Sequence, residues 1–260
     1  MIEGIEQINA LAKSAGKKIL DIYYSDFDVD YKEDDSPLTQ ADTLAHQIIC
    51  GGLALISPDI PILSEESSAQ SIANRLCWSR YWLVDPLDGT KEFVSRNGEF
   101  TVNIALIDHG KAIFGVVYAP VLDQLYWGSD EGAFKQESDG SIEQIYVAQT
   151  PALQDTWRVV ASRTHQNEAT KNYLQRFGEV DLVTMGSSLK FCLIAEGVAD
   201  VYPRLAPTCE WDSAAAQAVV EGAGGCVLEY PSLQPLRYNS TNTLLNPHFI
   251  VCAESPLYWV

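Results

Sequence analysis

Positive charge is scarce in this sequence. Its 260 residues include 17 lysines and arginines but 35 aspartates and glutamates, so the formal net charge is −18. Such a field repels nucleic-acid backbones and anionic membrane surfaces, and neither is expected as a partner. The same field repels anionic small molecules, unless bound cations reverse its sign locally.

Long hydrophobic runs are also missing. The longest nearly apolar stretch, IICGGLALI at residues 48–56, is far shorter than the ~20 residues that a membrane-spanning helix needs. The N-terminal residues have apolar side chains at helical spacing, without the basic start and continuous apolar core of a signal peptide. We therefore predict a soluble, cytoplasmic protein without a transmembrane segment, and we leave open a peripheral attachment to the cytoplasmic face of the inner membrane.

Closely spaced cysteine pairs are absent as well. None of the six cysteines forms a C-x-x-C pair, and most have apolar neighbours, as in FCL and VCA. This setting is typical of buried thiols that serve as small core residues, and it indicates a reducing compartment. The four histidines form no evident motif.

The hydrophobic pattern that is present predicts both helices and strands. Two helices, one ending near Tyr24 and one covering Gln40–Ile56, precede the short strands IPIL and YWLV. Two β-hairpins follow, and then strands such as WRVVASR alternate with helices such as the alanine-rich WDSAAAQAVVEGAGG. The pattern favours a layered α/β/α/β architecture of two closely packed subdomains, residues 1–150 and 151–260.

Two carboxylates follow the apolar residues WLV in the segment WLVDPLDGTKEF, residues 82–93. Asp85 and Asp88 flank a proline and a leucine, and Gly89 permits close backbone approach. A tight turn after a strand explains this composition by itself, because Asp-Gly and proline are common in turns. The alternative is that both side chains and the carbonyl of Leu87 face one point, which would supply three hard oxygens of the kind that magnesium prefers.

Other acidic residues stand at predicted strand ends or helix starts. Glu65 and Glu66 follow the strand IPIL, and adjacent side chains of an extended chain diverge, so at most one is expected to join a cluster. Asp42 and Asp212 begin helices, where capping and the helix dipole explain them without any function. Together, clustered carboxylates repel one another and need a counter-cation. Oxygen ligands alone favour magnesium over zinc or copper.

These motifs carry a resemblance that covers essentially the whole chain. The order and spacing of LSEES, WLVDPLDGTKEF and WDSAAAQAVVEGAGG resemble the lithium-sensitive, magnesium-dependent phosphatases of the inositol monophosphatase superfamily. The segments NGEFTVNIALIDHGKAIFGVVYAP, GSSLKFCLIAEG and YPR are similar to the bacterial 3'(2'),5'-bisphosphate nucleotidases of sulfate assimilation. The resemblance implies the layered sandwich of inositol and sugar phosphatases. It also implies hydrolysis of adenosine 3',5'-bisphosphate to AMP and phosphate.

The resemblance assigns metal ligands to most of the acidic residues. Glu65, Asp85 and the carbonyl of Leu87 would hold a first Mg²⁺. A second would be held by Asp85, Asp88 and Asp212, so that Asp85 bridges the two ions. Such a pair would clamp the phosphoryl group and lower the pKa of a bound water.

Further roles are implied around this pair of ions. Thr90 and Asp42 match the residues that position the attacking water, with Glu65 also near it, and Glu66 is the candidate ligand of a third, weaker ion. The helix start at residues 186–188 suits a second phosphate. The implied substrate-binding set is Glu65, Leu87, Asp88, Gly89, Thr90, Gly186, Ser187, Ser188, Lys190, Arg204 and Asp212. Arg163 and His165 are weaker additions to this set.

Several alternatives stay open at this point. Lys190 and Arg204 are also explained as solvated surface residues. A phosphatase for inositol monophosphate or a sugar bisphosphate would share the same metal ligands, because specificity is expected to reside in the second half of the chain. A non-catalytic metal- or nucleotide-binding module is disfavoured because no ligand is missing and Thr90 is present. The preferred phosphate position, lithium sensitivity and the choice between monomer and homodimer are not fixed by the sequence.

Overall fold

Two helices form the first layer of the protein, for which the computed structural model describes residues 4–31, 37–152, 154–161 and 167–253. Helix α1 (Ile5–Tyr23) ends one residue before its predicted end, and helix α2 (Gln40–Ile56) has the predicted bounds. A capping box opens α2, since the carboxylate of Asp42 accepts the backbone N–H of Thr39 at 2.7 Å. Two short antiparallel strands, β1 (Val29–Tyr31) and β2 (Pro37–Thr39), stand before this cap.

A seven-stranded sheet forms the second layer, with its strands in sequence order. Its members are β3 (Ile62–Ser64), β4 (Arg80–Asp88), β5 (Thr101–Asp108), β6 (Lys111–Ala119), β7 (Gln124–Ser129), β8 (Gly132–Gln136) and β9 (Ile142–Ile145). Only β3 and β4 pair in parallel, and the two predicted hairpins are confirmed as β5–β6 and β7–β8. The short helices α3 (Ala69–Asn74) and α4 (Thr90–Val94) lie in the loops on either side of β4.

A five-stranded sheet forms the fourth layer, in the order β11-β10-β12-β14-β13. Its strands are β10 (Trp157–Ala161), β11 (Val180–Thr184), β12 (Val201–Arg204), β13 (Cys226–Glu229) and β14 (Phe249–Cys252). Three helices accompany it, namely α5 (Glu168–Leu174), α6 (Leu189–Ala195) and α7 (Ala214–Gly222). Of the strands and α-helices in this half, only β11 was not predicted, and β9 of the first sheet was not predicted either.

Alternating side chains tie the layers together. In β4, Trp82 and Val84 pack with α1 and α2, whereas Tyr81 and Leu83 face the core that contains α6 and α7. That second core also includes the inner face of the five-stranded sheet, so α6 and α7 form the third layer. The predicted α/β/α/β sandwich is therefore confirmed, and α5 adds a third core on the outer face with Trp157 and Tyr173.

Helix α7 lies directly on the backbone of the first sheet. Gly115 of β6 pairs with Gly128 of β7, and a Cβ on either residue would collide with the main chain of α7 at Ala215 or Ala218. The small side chains of this alanine-rich helix allow the same close approach from the other side. Although α7 comes from the second half of the chain, it packs on strands that precede the predicted boundary at residue 150.

The structure bears on two further expectations, the burial of the cysteines and the presence of a membrane-spanning helix. Cys192 and Cys252 are buried, but Cys77 is exposed and the other three thiols are partly exposed, so general burial of the cysteines was wrong. Across the described ranges, every helix is too short or too polar to cross a membrane.

Candidate active site

Strand β4 carries the first two carboxylates of the site. The sequence predicted that this strand ends at Val84 in a tight turn, but it continues to Asp88. Its pairing with β5 is interrupted, because Asp85 lies opposite Asn103 and Asp88 lies opposite Thr101. Three steps along β4 thus match two along β5, which is a β-bulge. In a regular strand, side chains three residues apart point to opposite faces, and the bulge brings these two together.

The third carboxylate comes from the other half of the chain. Asp212 ends a short 3-10 helix (Glu210–Asp212) immediately before α7, and its Oδ2 accepts the backbone N–H of Cys209 at 2.9 Å. One carboxylate oxygen from each of Asp85, Asp88 and Asp212 lies within 4.8 Å of the others. The helix-start position that capping alone explained therefore also delivers an acid to the end of β4.

Mutual repulsion within this cluster is strong. Burial raises the pKa of Asp85 well above the usual carboxylate value, and the negative charges of Glu65 and Asp88 raise it further. Burial and the charge of Asp88 raise the pKa of Asp212 to about 8. Three hard oxygen ligands with no compensating charge among them fit a divalent cation such as Mg²⁺.

The two glutamates after β3 diverge. The backbone N–H of Glu65 donates to the carbonyl of Val84 at 3.0 Å, which holds this residue beside β4. The negative charge of Glu65 contributes to the raised pKa values of Asp85 and Asp212. The charge of Glu66 instead contributes to the raised pKa of Asp42. The charge of Glu65 thus acts on the aspartate cluster, and the charge of Glu66 acts on Asp42.

Thr90 and Asp42 meet at the start of α4. The hydroxyl of Thr90 lies 3.4 Å from Oδ1 of Asp42 and 3.3 Å from the carbonyl oxygen of Leu87. Oδ2 of Asp42 accepts both the N–H and the hydroxyl of Thr39 at 2.7 Å. Burial raises the pKa of Asp42, although the hydrogen bonds from Thr39 oppose that shift. Gly89, with a φ of 90°, makes the sharp turn that brings Thr90 to this place.

A cleft of about 190 Å³ joins the carboxylates to positively charged side chains. Asp88 and Asp212 line it together with Lys190 and Arg204. Three mutually packed rings, those of Phe191, Tyr202 and Phe249, form its aromatic floor. Lys190 Nζ lies 5.8 Å from the centre of the Tyr202 ring. Burial lowers the pKa of Lys190, while the charge of Asp88 opposes that shift.

A larger cavity of about 710 Å³ lies elsewhere, and chemistry favours the smaller cleft as the active site. The larger cavity is lined by Ile56, Trp82, Lys111 and Glu221, among others, and by none of the three clustered aspartates. Its walls carry scattered charges of both signs. The smaller cleft has convergent carboxylates, and the perturbed pKa values of Asp212 and Lys190 in its lining are typical of functional sites.

The structure does not place every predicted substrate contact in this cleft. Ser187 and Gly89 line it. Ser188 is only 1% exposed, its N–H donates to Asp88 Oδ2 at 2.6 Å, and its hydroxyl donates to Asn103. Gly186 is also buried, and a Cβ there would lie 2.8 Å from the side chain of Glu99. Gly186 and Ser188 do not line the cleft, and their contact with a substrate stays a prediction. Arg163 and His165 lie outside the described residues.

Sequence reasoning missed two polar residues beside the cluster. Thr101 and Asn103 of β5 are 0% and 1% exposed, and both bond to residues that surround Asp88. They are two positions apart in the otherwise apolar run FTVNIALI, so their side chains lie on the same face of the strand. Polar residues at that spacing in a buried strand were the signal available.

Comparison with known proteins gives consistent matches. Residues 3–255 match the model of the inositol monophosphatase family. A curated 3'(2'),5'-bisphosphate nucleotidase, CysQ of Escherichia coli O6:H1 (strain CFT073), is 50% identical over 250 residues, covering 95% of this chain and 98% of that protein. The crystal structure of CysQ from Bacteroides thetaiotaomicron is 42% identical, with a TM-score of 0.82 over 95% of this chain and 97% of its own. An inositol monophosphatase of Thermotoga maritima, 22% identical with a TM-score of 0.75 over 97% of this chain and 92% of its own, shares the fold.

Proposed function

Because this chain belongs to the inositol monophosphatase family, we propose that its carboxylate cleft removes the 3'-phosphate of adenosine 3',5'-bisphosphate, giving AMP and phosphate. The protein is a phosphatase, and its relatives of about half identity are 3'(2'),5'-bisphosphate nucleotidases that it matches over nearly their whole length. One observation carries the substrate assignment. Asp88 and Asp212 of the aspartate cluster border the same cleft as the cations Lys190 and Arg204, which suits a ligand with two phosphate groups.

The family is metal-dependent, and we assign Mg²⁺ to the clustered oxygens. Asp85, Asp88 and Asp212 would be the main ligands, joined by Glu65 and the carbonyl of Leu87. Two ions, with Glu66 as candidate ligand for a third, would account for all of these groups. When bound, the ions supply positive charge to the scissile phosphate and make a water molecule more acidic.

Thr90 and Asp42 are proposed to orient the attacking water. Oδ2 of Asp42 already accepts two hydrogen bonds from Thr39, so Oδ1 is the oxygen that remains for a proton of that water. The hydroxyl of Thr90 donates its proton to the carbonyl of Leu87 or to Asp42. Its oxygen therefore keeps a lone pair that can accept a hydrogen bond from the water. Burial raises the pKa of Asp42 and makes its carboxylate a better proton acceptor near neutral pH.

Lys190 and Arg204 are proposed to bind the 5'-phosphate. Arg204 is held in place by a hydrogen bond from its guanidinium to the carbonyl of Pro207 at 3.0 Å. Lys190 is held over the ring of Tyr202. The alternative substrates, inositol monophosphate and sugar bisphosphates, would use the same aspartates. The pairing of two cations with an aromatic floor favours the nucleotide over inositol monophosphate, which has no second phosphate for these cations.

Phosphate release from three substrates tests the proposal. Adenosine 3',5'-bisphosphate, inositol 1-phosphate and fructose 1,6-bisphosphate are each supplied with Mg²⁺, with and without EDTA. We expect rapid, chelator-sensitive release from the nucleotide. Lys190→Met should raise the KM for the nucleotide by about tenfold or more, because a charge-assisted contact is worth roughly 1.5–3 kcal/mol.

Each other outcome has a definite meaning. Preference for inositol 1-phosphate would keep the metal site but reject the assignment of Lys190 and Arg204 to a second phosphate. Preference for fructose 1,6-bisphosphate would keep both and reject the nucleotide as substrate. Absence of release from all three would favour a binding module. Cytoplasmic location, lithium inhibition, the preference between 3'- and 2'-phosphates and the oligomeric state stay predictions.

A further inference from the structure

Three buried polar side chains lie directly behind Asp88. Thr101, Asn103 and Ser188 are at most 1% exposed, and none of them lines the cleft. The hydroxyl of Ser188 donates to Oδ1 of Asn103 at 2.8 Å, and the hydroxyl oxygen of Thr101 lies 3.1 Å from the same atom. Thr101 also lies 2.6 Å from Ser187 Oγ and 2.7 Å from Ser188 Oγ. Burial of so many polar groups is costly unless they satisfy one another, as these do.

Hydrogen-bond donors from this network converge on a single oxygen of Asp88. Oδ2 accepts the hydroxyl of Ser187, the backbone N–H of Ser188 at 2.6 Å and the side-chain amide of Asn103 at 3.5 Å. The ionised carboxylate of Asp88 can only accept hydrogen bonds, so the amide nitrogen of Asn103 must face it and the amide oxygen then accepts from a hydroxyl. With Oδ2 occupied in this way, Oδ1 is the oxygen left for a cation.

The same contacts connect two parts of the site that are far apart in sequence. Thr101 and Asn103 lie opposite Asp88 and Asp85 in the β4–β5 ladder, so they span the bulge. Ser187 and Ser188 immediately precede α6, which carries Lys190. Ser187 has a φ of 53°, a conformation that non-glycine residues rarely adopt, and its hydroxyl contacts both the carbonyl and the carboxylate of Asp88.

We propose that Thr101 and Asn103 are positioning residues that lock the segment preceding α6 against Asp88, so that one metal ligand and Lys190 form a single rigid unit. The role of Lys190 in this inference rests on the proposed function, whereas the effect on the metal ligand does not. Neither residue touches the substrate. Their loss should weaken cation binding and should also uncouple cation binding from binding of the nucleotide phosphate, because both depend on the same segment.

A matched pair of variants at Thr101 tests the effect on the metal ligand. Thr101→Val keeps the shape of the side chain and removes its hydroxyl, whereas Thr101→Ser keeps the hydroxyl. Mn²⁺ affinity is measured without substrate, by electron paramagnetic resonance of the unbound ion. We expect Thr101→Val to weaken Mn²⁺ binding by about tenfold, the lower end for residues that support metal ligands, and Thr101→Ser to restore it to within about threefold of the parent.

The coupling is measured by repeating the Mn²⁺ titration with saturating AMP. In the parent protein AMP should tighten Mn²⁺ binding by about fivefold or more, and in Thr101→Val this factor should fall towards one. Failure of AMP to bind the parent would reject the proposed nucleotide function, while the titration without AMP would still decide the positioning role.

Equal Mn²⁺ affinities in the two variants, or an affinity of Thr101→Val within twofold of the parent, would overturn the inference. Circular dichroism checks that both variants fold. If Thr101→Val does not fold, Ser188→Ala replaces it, because that variant retains the backbone N–H to Asp88 and loses only the hydroxyl that contacts Asn103 and Thr101. It should then show weaker Mn²⁺ binding, and parent-like binding would equally overturn the inference.

Discussion

Asp88 is both a member of the aspartate cluster and the acceptor of several buried hydrogen bonds. One of its oxygens is held by donors from β5 and from the segment before α6, and its carboxylate belongs to the cluster with Asp85 and Asp212. Asp88→Asn keeps the size of the side chain but removes the charge that a cation requires. We expect turnover to fall by more than about a hundredfold, because cation binding and its charge stabilisation are both lost.

The control for this variant is Asp59→Asn, which removes the same charge from an exposed loop after α2. Phosphate release and circular dichroism are measured for both variants. The control should keep parent activity, and both variants should keep the fold. Normal turnover in Asp88→Asn would exclude the metal assignment.

Protonation of Asp212 gives a second prediction, on pH. Its folded pKa of about 8 lies above the usual 3.8, so the folded metal-free protein holds a proton that the unfolded chain releases. The contribution of Asp212 to the stability of the folded, metal-free protein is therefore lost as pH rises from about 4 to about 8. A cation needs the ionised form, so its affinity should rise over the upper part of that range.

Thermal unfolding with and without Mg²⁺ checks this sign. The increase in melting temperature caused by Mg²⁺ should be larger at pH 8 than at pH 6, and Asp212→Asn should remove most of the difference. A larger increase at pH 6 would contradict the assignment.

Individual site residues were predictable from sequence where local rules apply to them. Thr39 and Asp42 form the capping box that their spacing indicates, and Asp212 stands at the predicted helix start. The hydrogen bonds that hold Asp88 from behind were not predictable, because their donors, Ser187 and Ser188, are about a hundred positions away in the sequence. A hydrogen bond across such a distance in sequence leaves no local pattern.

Secondary-structure elements show the same contrast. Helices α1 and α2 and the two hairpins have strong periodicity and were predicted with nearly their observed bounds. Strands β9 and β11 are edge strands with exposed side chains such as Ile142 and Leu182, so their apolar pattern is weak. The bulge in β4 was missed because it is defined by the register with β5, which is not encoded in either strand alone.

Close packing of α7 on β6 gives a third prediction. A Cβ on Gly115 would overlap the carbonyl oxygen of Ala215, so Gly115→Ala should displace α7 and lower the free energy of unfolding by about 1–3 kcal/mol. Because Asp212 directly precedes α7, cation affinity should fall as well. Urea unfolding and Mn²⁺ titration measure the two effects.

Gly51→Ala is the matched control for that substitution. Gly51 lies in the middle of α2 on its exposed face, and no atom lies within 4 Å of the position that a Cβ would take. Alanine should therefore stabilise the protein there by about 0.5–1 kcal/mol, through its higher helix propensity. Equal effects of the two alanines would show that α7 is not held by the contact at Gly115.

The net charge of the whole molecule, −18, gives a fourth prediction. Its field concentrates cations around the protein, and dissolved salt screens that field within about 10 Å at 0.1 M ionic strength. Mn²⁺ affinity should therefore fall several-fold between low salt and roughly 0.2 M NaCl. Choline chloride at equal ionic strength should have the same effect, and a fall with NaCl alone would indicate competition by Na⁺ at the site instead of screening.

The position of α7 across the two halves has a consequence for synthesis of the protein on the ribosome. Strands β4 to β9 emerge well before residues 214–222, so one face of the first sheet, with its row of glycines and alanines, stays uncovered for the time needed to translate about seventy residues. The nascent first half also lacks Asp212. The three aspartates can therefore meet only after residue 212 has been translated, so the metal centre is completed later than the sheet that carries Asp85 and Asp88.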